Sequence, residues 1–397
     1  MALVSLPLVV AASSLEAPGP HAVGVRDVRF VDQIFGRGEV VGRVYYPALV
    51  TGSEAPPDPA GGPYPLVAFQ HGFLADPSLY DLLSAHVASH GHVVVSTGTG
   101  TGLLPDREAF ALDTRGFLHW ADGQSATAGS FLAGMVDATA PWAAIGHSMG
   151  GGNLFDLVGA EPRVRVLIAL QAASSDADAV AAARAFDGSV LHVIGAQDQF
   201  VPAWMSTSWL VATSESAARN LAVVVEGMGH LGATDLDLPI DALPVADQRR
   251  LHRRLVTGFL RSEVRGETRW WSDLVGLGAD GEPMAGFSAG RAPVLWADLV
   301  AGPGNALDVG VAARPGQLAL VLAALGPGSI ATPFGPLELD PASALLAGVA
   351  ALGGTGIGRT TVPLAAPPAG SGPRLQALVY GADAGALTPP VEIGAPP

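Results

Sequence analysis

Short apolar runs alternate with longer amphipathic or glycine-punctuated stretches between residues 21 and 271. This alternation is typical of an α/β protein, in which helices cover the faces of a mainly parallel sheet. Strands that are buried on both faces read as continuous apolar runs. Six runs therefore predict the central strands, at residues 66–69, 93–96, 142–145, 164–170, 190–194 and 222–225.

The first and last elements of this region have different patterns. Residues 23–31 and 40–46 alternate apolar and polar positions, which predicts an antiparallel pair at one edge of the sheet. In residues 245–264, Leu251 and Leu255 recur at helical spacing with arginines on the other side. This spacing predicts an amphipathic helix that closes the domain.

Composition changes after Trp271, where Gly, Pro and Ala become frequent and charged residues become rare. Apolar pieces at residues 318–323, 360–364 and 375–380 are separated by Pro and Gly turns, which predicts a small C-terminal β-sandwich-like domain. We therefore divide the chain into four parts: a possible truncated signal or N-terminal extension at 1–20, an α/β domain at 21–272, a linker at 273–290 and an accessory β-rich domain at 291–397.

The charge balance excludes one class of partner. The chain has 21 basic and 36 acidic residues, which gives a net charge of −15 at pH 7. This charge repels phosphate backbones and anionic lipid surfaces, so we expect no nucleic-acid binding. The sequence contains no cysteine, which excludes disulfides and cysteine-based metal sites.

The N-terminal residues 1–14 have the apolar middle and small-residue end of a secretory signal, but not its basic start. We interpret them as a truncated or atypical export signal, with an ordinary strand as the alternative. No apolar run reaches the roughly 18 residues of a membrane-spanning helix, so we expect no transmembrane segment. The sequence makes no prediction about oligomeric state.

A Gly-x-Ser-x-Gly motif formed by Gly146, Ser148 and Gly150 lies between an apolar run and a predicted helix that begins at Met149. A serine at a sharp turn from strand to helix is held in a strained backbone conformation, and the flanking glycines let the two backbones pass closely. This context makes a chance match improbable. We predict that Ser148 is a nucleophile, with a purely structural turn as the alternative.

A serine hydroxyl becomes nucleophilic when a base takes its proton, and a carboxylate orients that base. In this type of fold the acid and then the histidine follow the serine. Of the later histidines, His192 lies in an apolar strand and is expected in the core, whereas His252 lies on the arginine-rich helix and is expected to be solvated. His230 follows a strand through a glycine-containing loop and is the predicted base.

The predicted acid is Asp198, which follows the strand at residues 190–194 directly and so lies at the carboxyl edge of the sheet. A nucleophile, an acid and a base that each follow a strand are far less probable by chance than any one alone. Competing carboxylates lie in polar stretches, where solvated charges or helix caps are expected: Asp176, Asp178, Asp235 and Asp237.

The tetrahedral intermediate of acyl transfer needs two backbone N–H donors for its oxyanion. One is predicted at Met149, the residue after the nucleophile, and the other at Phe73, in the loop after the first central strand. The Phe73 ring is also predicted to bind substrate, with burial as the alternative. His71 in the same loop is expected to make structural hydrogen bonds.

Two other patterns carry no site. Gly98, Gly100 and Gly102 follow a strand, but the third glycine is out of register for dinucleotide binding and no suitable acidic residue follows. The histidines at positions 86, 90 and 92 are close together in the sequence, but they lack the spacing of metal ligands. We predict neither a metal nor a cofactor.

At this point the chain resembles the α/β-hydrolases that include chlorophyllases and cutinase-like polyester hydrolases. The residues that resemble them are FQHGFLADPSLYDLLSAHVASHGHVVVS at 69–96, GHSMGGGN at 146–153, GAQDQFVP at 195–202 and GMGH at 227–230. The similarity extends over residues 64–260. It implies an α/β-hydrolase fold with a mainly parallel central sheet.

By position, the resemblance implies the triad Ser148, Asp198 and His230 and the backbone N–H donors of Phe73 and Met149. One departure concerns residues 170–173, which read Leu-Gln-Ala-Ala where polyester hydrolases of this kind usually have a tryptophan. The aromatic clamp is then incomplete, which argues against activity on aromatic polyesters. These hydrolases also often carry disulfides, which this chain cannot form.

We therefore expect a secreted or cell-surface bacterial carboxylic-ester hydrolase that works through an acyl-enzyme without a cofactor. Its substrate is expected to be an ester, either hydrophobic or polymeric. The alternatives are a polyester hydrolase or lipase of the same fold, and a non-catalytic surface or binding protein on a hydrolase scaffold. Because every predicted catalytic residue precedes Leu231, a chain that ends near Ser272 is expected to hydrolyse soluble esters.

Overall fold

The computed structural model describes residues 15–300, 306–363, 373–381 and 385–393. The possible export signal at residues 1–14 lies outside these described residues. The largest element is a ten-stranded sheet in the order β10-β9-β8-β7-β6-β4-β5-β2-β1-β3. Its strands are β1 (Ala22–Asp32), β2 (Gly38–Ala48), β3 (Gly52–Ser53), β4 (Leu66–Gln70), β5 (Val93–Thr97), β6 (Trp142–His147), β7 (Val164–Leu170), β8 (Ser189–Gly195), β9 (Arg219–Val225) and β10 (Met284–Ser288).

The six strands from β4 to β9 pair in parallel, as the continuous apolar runs predict. Strand β4 illustrates the cause, because all five of its residues are buried. Val67 and Phe69 pack into the core on one face, and Leu66 and Ala68 pack into the core on the other. The predicted antiparallel edge is also confirmed, since β1 pairs with β2 from Ala22↔Ala48 to Asp32↔Gly38.

Helices cover both faces of this sheet. They are α1 (Asp81–Ser89), α2 (Arg107–Ala126), α3 (Met149–Ala160), α4 (Ala177–Ala185), α5 (Ala203–Thr213), α6 (Val245–Arg265) and α7 (Trp271–Val275). One core contains residues of α1, α6 and α7, and the other contains residues of α2, α3, α4 and α5. The predicted amphipathic helix is α6, whose Leu251, Leu255 and Phe259 are buried. No helix among the described residues is both long enough and apolar enough to cross a membrane. A mixed α/β architecture with a large, mostly parallel sheet fits an α/β-hydrolase.

The strands after β10 form antiparallel sheets. They are β11 (Val294–Val300), β12 (Ala306–Ala312), β13 (Leu318–Ala324), β14 (Pro327–Thr332), β15 (Gly335–Leu339), β16 (Leu345–Ala351), β17 (Ile357–Pro363), β18 (Arg374–Tyr380), β19 (Gly385–Leu387) and β20 (Val391–Glu392). One sheet has the order β11-β12-β17, a second has the order β16-β13-β18-β19 with β20 on β18, and β14 pairs with β15. Buried residues of the first two sheets form one core, while the β-sandwich arrangement stays a prediction.

The predicted linker at residues 273–290 is packed against the larger sheet. Its strand β10 pairs antiparallel with β9. Glu282 forms ion pairs with both Arg250 and Arg254 on α6, at 2.7 and 2.8 Å. Beyond it, the fully buried Trp296 of β11 stacks on Trp271 of α7, with ring centroids 6.1 Å apart. A chain that ends near Ser272 would lose these contacts, and the division into domains stays a prediction.

We expect Trp296→Ala to destabilise the whole protein, because its ring fills the junction between α7 and the C-terminal sheets. Truncation of a buried Trp typically costs about 3–5 kcal/mol of unfolding free energy. The matched control is Trp204→Ala, because Trp204 is 65% exposed and its loss leaves no cavity. Thermal melting followed by circular dichroism measures both. Equal melting temperatures for the two variants would contradict this packing role.

Four buried histidines predict a loss of stability in acid. Burial lowers the pKa of His86, His92 and His192 to about 3 and that of His252 to about 4, from an ordinary value of 6.5. Below about pH 6.5 the unfolded chain binds protons that the folded chain refuses, so the unfolding free energy falls by roughly 1.4 kcal/mol per pH unit for each group. The loss is complete only below the folded pKa values.

Denaturant unfolding between about pH 8 and about pH 5 measures this loss. We expect a flat profile above the ordinary histidine pKa and a fall below it. His192→Gln should reduce the slope of that fall, because it removes one of the buried histidines that contribute to it. An unchanged slope in this variant, or constant stability across the range, would show that buried histidines do not set the acid sensitivity.

Candidate active site

Ser148 lies at the sharp turn between β6 and α3. Its backbone has φ 55° and ψ −118°, a left-handed conformation that L residues rarely adopt. Two backbone hydrogen bonds fix the turn, from Ser148 N–H to the Leu170 carbonyl at 3.0 Å and from Ala173 N–H to the Ser148 carbonyl at 2.9 Å. The turn therefore holds the serine side chain above the carboxyl edge of the sheet.

The two glycines of the motif are required by close backbone contacts. A Cβ atom on Gly146 would lie 2.4 Å from the Gly150 carbonyl oxygen. A Cβ on Gly150 would lie 2.2 Å from the Gln70 carbonyl oxygen on β4. Because both obstacles are backbone atoms, they cannot move aside like a flexible side chain. The Gly-x-Ser-x-Gly spacing is thus explained by the packing of α3 against β4 and β6.

The structure brings the three predicted polar residues together. The Ser148 hydroxyl lies 2.9 Å from Nε2 of His230, and Nδ1 of His230 lies 2.7 Å from a carboxylate oxygen of Asp198. The other oxygen of Asp198 accepts hydrogen bonds from the N–H groups of Phe200 and Val201. Asp198 thus fixes Nδ1 as a donor and leaves Nε2 free to accept the serine proton.

The competing candidates have other contacts. Asp176 accepts a hydrogen bond from Ala179 N–H and caps the start of α4, as expected of a helix cap. Asp235 accepts a hydrogen bond from Leu82 N–H at 3.1 Å. His192 is fully buried in β8, as predicted.

The prediction that His252 is solvated is wrong. Its side chain is buried; Nδ1 donates to the Gln248 carbonyl at 2.8 Å, and Nε2 lies 3.2 Å from the amide nitrogen of Gln171. Gln171 follows β7, so the partner of His252 comes from a distant part of the chain. The helical pattern of α6 alone could not reveal this contact.

The two predicted oxyanion donors lie in loops at the same edge of the sheet. Within the described residues, neither Phe73 N–H nor Met149 N–H has an intramolecular acceptor. Met149 is the first residue of α3, where a helix leaves its N–H groups unpaired. The Phe73 ring is about half exposed, so the alternative of a buried ring is wrong. His71 is fully buried, with ring nitrogens 2.8 Å from the carbonyl oxygens of Gly72 and Thr99, which supports its predicted structural role.

Exposed apolar side chains follow four of the parallel strands at this edge. They lie on the segments that follow β4, β5, β8 and β9, including the first turn of α5, and these segments leave the carboxyl edge of the sheet, where Ser148 also lies. We call this set the apolar rim, and its members are Phe73, Leu74, Leu103, Leu104, Phe200, Trp204, Leu238 and Ile240. The Phe200 ring lies beside His230, with centroids 5.5 Å apart. Sequence reasoning identified only Phe73, because exposure cannot be read from apolar residues in loops.

The histidine cluster before β5 makes structural contacts. His86 Nε2 lies 2.8 Å from the Leu15 carbonyl oxygen, and His90 Nε2 lies 3.0 Å from that of Ala17. These contacts dock the N-terminal segment on α1. No group of three or more potential ligands in the described part of the chain is arranged to hold a metal ion.

Comparison with known proteins adds three findings. A family model of PET hydrolase-like proteins matches residues 8–218, which is more than half of the 397-residue chain and includes Ser148 and Asp198. A cutinase of Thermobifida alba is 32% identical over 161 residues, 40% of this chain and 47% of the cutinase. A chlorophyllase of Arabidopsis thaliana is 32% identical over 111 residues, 26% of this chain and 33% of the chlorophyllase. The chain thus spans from a third to about half the length of these curated relatives.

Proposed function

The chain belongs to the PET hydrolase-like family, and from that premise we propose that it hydrolyses carboxylic esters with the triad Ser148, His230 and Asp198. The observation that carries the proposal is the unbroken contact from the serine hydroxyl through the imidazole to the carboxylate, at 2.9 and 2.7 Å. The similarity to a cutinase and a chlorophyllase supports the same class of reaction.

The proposed reaction passes through an acyl-enzyme. Ser148 Oγ attacks the ester carbonyl carbon while His230 Nε2 takes the hydroxyl proton. The tetrahedral intermediate collapses, and the leaving alcohol oxygen takes that proton from His230. Water then attacks the acyl-enzyme with His230 as base, and the second collapse releases the carboxylic acid and restores the Ser148 hydroxyl. Substrate, water and these side chains supply every atom, so the proposal includes no cofactor.

Two backbone groups are proposed to stabilise the intermediates. The unpaired N–H groups of Phe73 and Met149 would donate hydrogen bonds to the oxyanion, and donors fixed before the reaction need no reorganisation. Asp198 would hold the imidazole in the correct tautomer and stabilise the imidazolium that forms. In this proposal, hydrogen bonds from the loop after β4 and from the first turn of α3 stabilise the negative charge of both tetrahedral intermediates.

The apolar rim supports a hydrophobic or polymeric ester as the substrate. Burial of these exposed side chains, which lie at the same edge of the sheet as Ser148, against an apolar chain or a polymer surface would stabilise the bound substrate. This observation favours polyester hydrolysis as a second candidate function. Residues 170–173 carry no aromatic side chain, so we propose a preference for aliphatic over aromatic polyesters. An intact triad argues against a non-catalytic binding protein.

The experiment is hydrolysis of p-nitrophenyl esters from acetate to octanoate, run beside films of an aliphatic and an aromatic polyester. We expect turnover of the soluble esters, with a KM that falls as the acyl chain lengthens, and faster release of soluble products from the aliphatic film. Absence of turnover on every ester would overturn the proposed function. Equal rates on both films would overturn the substrate preference alone.

The roles outside the larger sheet also remain proposals. We propose that the protein is secreted or exposed at the cell surface, and that the antiparallel sheets after β10 attach it to its substrate. The apolar, small-residue character of residues 1–14 supports export. Pull-down of the full chain on polyester film, with Ser148→Ala to prevent hydrolysis, measures attachment independently of turnover.

A further inference from the structure

A chain of buried hydrogen bonds runs beside the proposed triad without including any of its side chains. The Tyr80 hydroxyl lies 2.9 Å from Gly72 N–H and 2.9 Å from Nδ1 of His147. Nε2 of His147 lies 2.9 Å from the carbonyl oxygen of His230. We call these contacts the Tyr80–His147 relay. It joins the loop after β4, the end of β6 and the loop after β9.

The direction of each hydrogen bond in the relay is fixed by chemistry. The His230 carbonyl can only accept, so Nε2 of His147 carries the proton and donates it. Nδ1 of a neutral His147 must then accept, and the Tyr80 hydroxyl is its donor. The Tyr80 oxygen in turn accepts from Gly72 N–H. One protonation state of His147 therefore satisfies every group in the relay.

Three members of the relay are adjacent to, or part of, the proposed machinery. Gly72 precedes Phe73, the proposed oxyanion donor, and His147 precedes Ser148. The last member is the backbone carbonyl of His230 itself. Gly72 is also closely enclosed, because a Cβ there would lie 3.1 Å from the Tyr80 hydroxyl and 3.2 Å from Nδ1 of His147. A small displacement of Tyr80 would therefore be transmitted to the oxyanion loop.

We propose that Tyr80 and His147 are positioning residues that keep the oxyanion donor Phe73 and the base His230 aligned with Ser148. This inference rests on the proposed function, since it assigns parts of that same site. Reacting groups must be aligned closely, and a displacement of about 1 Å can reduce the rate about a hundredfold. The relay supplies this alignment from side chains that are almost completely buried.

Burial keeps the relay in its required protonation state. Both side chains are almost completely buried. Burial holds the pKa of His147 well below its ordinary value, and the neighbouring His230 lowers it further. Burial also raises the pKa of Tyr80, so its hydroxyl keeps its proton. His147 thus remains neutral, the form that can both accept from Tyr80 and donate to His230.

The test compares Tyr80→Phe with Tyr46→Phe in the full chain. Each change removes one buried hydroxyl; that of Tyr46 donates to the Ala55 carbonyl on the N-terminal side of the sheet, away from Ser148. Tyr80→Phe leaves Gly72 N–H and His147 without their partner, and we expect kcat on p-nitrophenyl butyrate to fall about tenfold to a hundredfold, with KM within about twofold. Tyr46→Phe should keep kcat within about twofold.

A double-mutant cycle distinguishes one relay from two separate losses. His147→Gln keeps an amide donor for the His230 carbonyl, but it replaces the ring nitrogen that accepts from Tyr80 by an amide oxygen at a different position. If both residues act through the relay, kcat of the double variant should be no more than about threefold below kcat of the slower single variant. If the fold-reduction in kcat of the double variant equals the product of the two single reductions, the proposal is overturned. A kcat for Tyr80→Phe equal to that for Tyr46→Phe would overturn it as well.

Labelling by a fluorophosphonate separates this proposal from the proposed function. The wild-type chain should be labelled rapidly, and the labelling rate of Tyr80→Phe should be at least about tenfold lower. Tyr46→Phe should be labelled at the wild-type rate. No labelling of the wild-type chain would overturn the proposed function, and the relay with it. Rapid labelling of both the wild-type chain and Tyr80→Phe would overturn the relay alone. Because labelling is followed in folded protein checked by circular dichroism, loss of fold is not mistaken for loss of alignment.

Discussion

Ser148→Ala should abolish ester hydrolysis while leaving the fold intact. Without the hydroxyl there is no atom to form the acyl-enzyme, and loss of a triad nucleophile typically reduces turnover by a factor of about a thousand to a million. The fold should survive because, among the described residues, the hydroxyl forms a hydrogen bond with His230 alone, and the backbone hydrogen bonds to Leu170 and Ala173 remain. The measurement is kcat on p-nitrophenyl butyrate, with circular dichroism of the same sample.

Ser208→Ala is the matched control. Ser208 lies on the exposed surface of α5, where its hydroxyl donates to the Met205 carbonyl. This variant should keep wild-type turnover. A Ser148→Ala protein that retained more than about a tenth of wild-type turnover would show that another group carries out the reaction, because true nucleophile losses are far larger.

Asp198→Asn should reduce kcat by about ten thousandfold. An amide in this position can donate a hydrogen bond to Nδ1 of His230, which favours the tautomer with the proton on Nε2. That tautomer cannot accept the Ser148 proton. The amide also carries no charge to stabilise the imidazolium. KM should change little, since Asp198 is buried behind the histidine and its carboxylate faces His230 and the N–H groups of Phe200 and Val201.

Asp176→Asn and Asp235→Asn are the controls for the acid. Asparagine also caps helices well, so Asp176→Asn should preserve the start of α4. Asp235 contacts Leu82 N–H, and an asparagine oxygen can accept the same bond. Both variants should keep kcat within a few-fold. If Asp198→Asn kept near-normal turnover while Asp235→Asn lost its activity, Asp198 would not be the acid of the triad.

The central sheet could be predicted from the sequence because each parallel strand is buried on both faces. The runs at 164–170 and 222–225, for example, lie in β7 (Val164–Leu170) and β9 (Arg219–Val225). The positions of Ser148, Asp198 and His230 followed from the same pattern, since each comes soon after such a strand. Local chain geometry thus carries most of the information about the proposed triad.

The contacts that depend on tertiary packing could not be predicted in this way. The arginine neighbours of His252 predict a solvated side chain, yet its partner is Gln171, which lies 81 residues away in the chain and directly follows β7. The sequence pattern does not single out Tyr80, and only the fold shows its hydroxyl between Gly72 and His147. The pairing of β10, which lies within the predicted linker at 273–290, with β9 is a further contact that the composition of this segment does not predict.

The most direct test of the proposed function is the mass of the protein after reaction with a fluorophosphonate, followed by peptide mapping. We expect the intact mass to increase by one phosphonyl group, with the modification on the peptide that contains Ser148. Asp198→Asn should be labelled much more slowly, and Ser148→Ala should not be labelled. An unmodified wild-type protein, or a modification on any other residue, would contradict the assignment of Ser148 as the nucleophile.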